Sequence, residues 1–333
     1  MADHRQSEIT RRELLRRAAA GAVAVGLGGR LAANTADAGA AKPTAPRSPR
    51  AKVVLVRDAA AVDDQGRVNA TVVESMLDQA IRALTGKNGR ADAWGQFAET
   101  TDRVGIKSTL MMTPTHPELL RAICRGLKAA GVHDDRLLVW DRTKCGVGEE
   151  EVESLPRSLG FGKDHLSNGV WESTVLINVP ALKSHWLAGM ACAVKNWAGG
   201  VTGINTKDTN ATYSFHEDSC RELGVLNAIP AIRQRCRLIV VDALRPLANG
   251  GPQVDPRYLW DYQGLLVGTD PVAVDTIGLE IIRGRRRQLR GEEWPLQPPV
   301  KHLAVADTKY HLGVSDRKRI DLVKIGLDAD SFV

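Results

Sequence analysis

Residues 176–200, LINVPALKSHWLAGMACAVKNWAGG, set Asn178, Lys183, His185, Lys195 and Asn196 among small and apolar neighbours. Lysine is seldom buried alone. Two ammonium groups in such a segment therefore imply an anionic ligand or a neutralising carboxylate, for which Asp242 and Asp275 are candidates. The competing reading is that both side chains reach out to water along their own stems. An imidazole with its ordinary pKa near neutrality suits proton transfer, which makes His185 the expected acid–base. Lys183 or Lys195 would then stabilise developing negative charge. Lys107, His116, Asn178, Asn196 and Asp242 complete the expected anion site, with a carboxylate or phosphate as its ligand. His185, His216 and Asp275 are candidates for a divalent metal, although their spacing matches no local motif such as H-E-x-x-H.

These groups need elements to position them. If residues 185–196 formed one helix, His185 and Asn196 would lie about 16 Å apart along it. Pro180 and the glycines at 189, 199 and 200 instead predict a short element with loops at both ends. Lys183 and His185 fall on the opening loop in that reading, and Lys195 and Asn196 at the far end.

Strand and helix signals alternate along the rest of the chain. KVVLVR (52–57), DRVGIKSTL (102–110), RLLVWDR (136–142), STVLINV (173–179), RLIVVDAL (237–244), GLLVGT (264–269) and IDLVKIG (320–326) read as strands. Several are apolar throughout, as strands buried on both faces must be. TVVESMLDQAIRAL (71–84) and HPELLRAICRGLKAAGV (116–132) have helical apolar spacing. The pattern predicts an α/β fold, a mostly parallel sheet flanked by helices, with the site at the carboxyl ends of the strands. Thr115 with Glu118 resembles a capping box, and Asp270 followed by Pro271 an N-cap. Asp275 then falls on the apolar face, where it must be paired, bonded to backbone groups or bound to metal.

Residues 1–38 read as an export signal: Arg11 and Arg12 precede a short, weakly apolar run and an Ala36-Asp37-Ala38 that suits signal peptidase. Paired arginines point to the twin-arginine translocase, and so to the periplasm or the extracellular space. Residues 39–51 read as a flexible spacer, and 52–333 as a single α/β domain. No later run reaches the ~20 apolar residues of a bilayer span. Of the +6 net charge, +2 sits in the signal, where six arginines face four acids; the remaining +4 is too mild to imply nucleic acid. The dense RGRRRQLRGEE (283–293) fits a solvated helix end. Five cysteines include no C-x-x-C pair and no iron–sulfur run, and Cys145, beside Lys144, is a minor thiol candidate.

IKSTL, THPELL, LINVPALKSH, AVKN, VDALRPLANGGP and DPVAVD, in that order over about residues 53–326, resemble the domain of unknown function 362 family. Ser108, Ser184 and Ala243 depart from its usual Asn, Thr and Gly. The resemblance implies no settled activity. Some members of that family carry an attached ferredoxin-type module, which this chain lacks. A fainter similarity links the Lys and His set to the nickel-pincer lactate racemase group. The expected function is an exported anion-binding protein with proton-transfer chemistry. The alternatives are a redox or iron–sulfur-associated protein acting with a separate partner, and a non-catalytic protein binding an anion or metal.

Overall fold

The computed structural model describes residues 50–110, 112–142, 144–145, 152–153, 160–161, 164–202 and 217–333. Residues 1–49, which the sequence reads as a signal and most of a spacer, lie outside the described residues, as do His216 and the side chain of Cys145. Strands β1 (Ala51–Arg57), β2 (Val104–Lys107), β3 (Leu137–Asp141), β4 (Val175–Asn178), β7 (Cys236–Leu247), β8 (Gly264–Gly268) and β9 (Ile320–Gly326) form the body of one sheet. Their order is β9-β1-β8-β7-β4-β2-β3, with the short strands Lys144–Cys145 and Val152–Glu153 beyond β3. A hairpin of β5 (Ala181–His185) and β6 (Gly189–Ala191) joins at β7.

Six of the seven body strands run the same way, so the sheet is mostly parallel. β8 is the exception, antiparallel to both β1 and β7. Alternate residues of β1 enter different cores. Val53 and Leu55 pack on the side of helix α4 (Pro271–Arg290), and Val54 and Val56 on the side of α1 (Ala70–Thr85) and α2 (Pro117–Ala129). The result is a three-layer α/β architecture, as the doubly apolar strands require.

The helices begin and end on local chemistry. Asn69 caps α1 through Thr71 N–H and Val72 N–H, and Gly86 closes it at a left-handed φ of 70°. Asp270 caps α4 as expected, its Oδ1 accepting from Val272 and Ala273 N–H at 2.9 Å each. The expected Thr115–Glu118 box is not formed. α2 is capped by His116 without a side-chain cap bond. The buried Thr115 hydroxyl instead donates to Val179 O at 2.8 Å and accepts from Thr109 N–H at 3.0 Å. An interior carbonyl that needs a donor has taken the hydroxyl away from the helix.

The 176–200 segment breaks near Gly189, as the sequence implies, but by a different route. Lys183 and His185 lie on a strand, not a loop, and Lys195 and Asn196 lie on a one-turn helix, α3 (Ala193–Asn196). The twelve-residue β7 supports both parts: its first half pairs with β4, its second with β5.

Candidate functional site

β2 and β3 run parallel, so Lys107 and Asp141 emerge side by side at their carboxyl ends. Lys107 Nζ lies 2.8 Å from Asp141 Oδ1 and also donates to Ser108 O at 2.7 Å and Asn196 Oδ1 at 3.0 Å. Its ammonium is saturated although the residue is only 1% exposed. Burial pulls its pKa down, and Asp141 opposes that pull. Asn196 Nδ2 donates to Asn178 Oδ1 at 2.7 Å, and Asn178 Nδ2 donates to Ala193 O at 2.9 Å. Gly199 closes over the pair; a Cβ there would stand 2.3 Å from Asp141 Oδ1. The turn 193–200 thus fills the end of the sheet between β2, β3 and β4.

The carboxylates expected beside the two lysines of the segment are used elsewhere. Asp275 Oδ1 and Oδ2 accept from Ala193 N–H at 2.7 Å and Val194 N–H at 3.0 Å. Burial raises its carboxyl to about 7 against those bonds. It anchors α3 to α4. Asp242 binds His116, as described next.

Asp242 Oδ2 accepts from the His116 backbone N–H at 2.7 Å, and His116 Nδ1 stands 2.7 Å from the same oxygen. Asp242 Oδ1 takes Leu244 N–H at 3.1 Å. Burial alone would lower the His116 ring, but Asp242, by charge and hydrogen bond, outweighs it and the ring titrates above its usual value. Burial likewise raises Asp242, and His116 more than reverses that. Asp242 is buried while the His116 side chain is 26% exposed. Nδ1 is engaged by Asp242, which leaves Nε2 as the ring nitrogen outside that bond.

Lys183 reaches the same loop from β5, donating to Thr113 O at 3.0 Å. Burial lowers it to about 8, with Asp141 and Asp242 among the charges that limit the fall. Loop 108–116 is therefore held from several strands: Leu110 N–H donates to Asp141 Oδ2 at 3.0 Å and Thr113 Oγ1 to Pro252 O at 2.8 Å. Trp186 N–H donates to Gly251 O at 2.8 Å in the same turn. Met112 in that loop, Trp186, and Val254 two residues past Pro252 are exposed large apolar side chains.

Of the remaining expected residues, His185 accepts at Nδ1 from Leu187 N–H at 3.1 Å. Lys195 is brought to about 8 by burial. Its charge adds to the burial that holds His302 at about 3. His302 is fully buried, with neither ring nitrogen bonded among the described residues. The sequence marks Asp141 only as one of several polar residues at strand ends, and gives no sign of His302. Asp141 ends its strand just as Lys107 ends the neighbouring one, which was the available signal. Among the described residues no three His, Cys, Asp or Glu side chains converge as a metal site would need. No helix among them is long and apolar enough to cross a membrane.

Fold and site together define a three-layer α/β protein with two saturated or shielded lysines and an Asp–His pair at its strand ends. Residues 144–280 match the family model described as Domain of unknown function (DUF362). Lys183, His185, Lys195, Asp242 and Asp275 lie within the match; Lys107 and His116 precede it. No curated protein and no solved structure matches the chain.

Proposed function

We propose that the protein is exported by the twin-arginine translocase and that its strand-end cleft binds a small carboxylate or phosphate, with His116 transferring a proton and Lys183 holding the negative charge. The observation that carries this reading is the double hold of Asp242 Oδ2 on His116, at 2.7 Å to both backbone N–H and Nδ1. A buried carboxylate behind an imidazole sets its tautomer, orients Nε2 and stabilises the protonated ring, as in acid–base sites generally. We assign the proton-transfer role expected of His185 to His116 instead, because the His116 ring is backed by a buried carboxylate, whereas His185 Nδ1 accepts a backbone N–H from Leu187. Lys183 supplies a desolvated ammonium near the same loop, where an anion would find little competing water. The apolar rim of Met112, Trp186 and Val254 favours a ligand with an apolar substituent.

A thermal-shift screen of small carboxylates and inorganic phosphate tests the binding. NMR detection of solvent deuterium entering beside the carboxylate then tests the chemistry. Wild type should bind and exchange, His116→Gln should bind without exchange, and Lys183→Met should lose binding. A screen with no stabilising anion, or exchange by His116→Gln at the wild-type rate, would sink the reading. Retention of an Arg11→Lys, Arg12→Lys variant inside the cell tests the export route.

A further inference from the structure

Helix α5 (His302–Thr308) packs against α4 on one side and against the short helix Gly224–Ala228 on another. The second contact is close: a Cβ added at Gly224 would stand 2.6 Å from the Tyr310 ring and 3.2 Å from Ala306 Cα. His302 begins α5 inside this packing, 0% exposed and with neither ring nitrogen bonded among the described residues. A neutral imidazole has one N–H and one bare nitrogen, and both are normally matched in an interior. A second proton would add a buried charge with nothing to receive it.

The charged groups of the surrounding elements are committed elsewhere or have the wrong sign. α3 supplies Lys195, a cation whose field adds to burial in opposing ring protonation. On α4, Asp275 gives both oxygens to Ala193 and Val194 N–H, and Glu280 pairs with Arg317 at 3.1 Å. On residues 217–228, Asp218 holds Lys301, and Glu222 holds Lys309 Nζ at 2.6 Å and the Tyr310 hydroxyl at 2.5 Å. The Cys220 thiol is pushed by burial to about 11 and stays neutral. On α5 itself, Asp307 Oδ2 accepts from the Ser315 N–H at 2.9 Å and its hydroxyl at 2.8 Å.

These carboxylates do not change state where a histidine does. Lys301 lowers Asp218, and Lys309 with Tyr310 more than reverses the rise that burial gives Glu222, so both stay ionised through pH 5. A ring that takes its second proton only after meeting water favours the open form more and more as pH falls below its ordinary 6.5.

We propose that His302 is an acid-sensitive latch: between pH 7 and pH 5 its protonation opens α5 and residues 217–228 locally, while α3 stays held to α4 by Asp275. Opening breaks the 2.8 Å bond from Asn227 Nδ2 to Val194 O and frees one side of α3. The latch does not rest on the function proposed for the cleft around His116.

Hydrogen-exchange mass spectrometry of the full chain at pH 7 and pH 5, corrected for intrinsic exchange rates, tests the proposal. In wild type, protection of peptides from 217–228 and 301–310 should fall about twentyfold on acidification, while β1 and β8 keep theirs. His302→Leu removes the titrating ring together with its unmatched nitrogens, and its protection should be equal at the two pH values. His302→Gln, which cannot titrate either, repeats the comparison where leucine disturbs the packing, and wild type alone locates the opening. Equal protection of wild type at both pH values would overturn the proposal. So would a loss shared equally by β1 and β8, or the wild-type pH response persisting in the two variants.

Discussion

Asp242 Oδ2 receives two hydrogen bonds from one residue, His116, through its backbone N–H and its ring Nδ1, each at 2.7 Å. One carboxylate oxygen thereby fixes both where helix α2 starts and which way the imidazole turns.

The pair makes stability depend on pH in a defined direction. His116 titrates above its ordinary 6.5 in the fold, so its contribution is complete below 6.5 and is lost as pH rises through the folded value. Urea unfolding of wild type against His116→Gln should show a gap that is wide at pH 5 to 6 and closes at alkaline pH. A gap that widens with pH would contradict the assignment.

Lys183 works in the opposite sense. Its pKa falls from 10.5 to about 8 on folding, so the fold carries a penalty that is complete below 8 and vanishes above 10.5. Lys183→Met should be as stable as wild type or more so at pH 7, and that advantage should fade by pH 10.5. Anion binding should be lost at both. A protein destabilised at pH 7 would show that the ammonium is structural.

Breaking the Lys107–Asp141 pair on one side strands a buried charge. Asp141→Asn should cost about 3–5 kcal/mol in chemical unfolding. The double change Lys107→Met, Asp141→Leu should recover most of that loss, because no unpaired charge then remains. An additive double variant would refute the coupling.

Gly199 and its neighbour Gly200 offer a steric comparison. Alanine at 199 would press on Asp141 Oδ1 at 2.3 Å, whereas at 200 the nearest atom is a Trp197 ring carbon at 3.3 Å. Gly199→Ala should cost about 1–3 kcal/mol and Gly200→Ala clearly less. Melting temperatures of the two variants decide it.

The strands were readable because burial on both faces leaves runs such as VVLV and LLV with no polar interruption. The reversed direction of β8 was not, since an apolar run has no arrow. The β5–β6 hairpin was hidden because Lys183 and His185 alternate with Leu182 and Ser184 in a pattern that reads equally as a polar loop. Of the site, residue types could be listed but partners could not. Asp275 looked like a candidate for Lys183 or a metal, yet it serves two backbone N–H groups of α3. Lys107 took Asp141 from the adjacent strand, a choice set by parallel register that local spacing does not contain. Thr115 followed the same logic when Val179 O claimed its hydroxyl.

Loop 108–116 is held by partners far along the chain: Val179 is 64 residues from Thr115, Asp242 is 126 from His116 and Pro252 is 139 from Thr113. Such distant closures are made late and slowly. While the polypeptide is being synthesised, the loop emerges long before Val179, Asp242 and Pro252, which complete its hold. A truncated chain ending ahead of β7 would hold Lys107, His116 and Lys183 in sequence but could not form the Asp242–His116 contact. The Asp242–His116 contact thus comes into existence only after β7 has been made, and its presence reports that β7 has joined the strands that precede it.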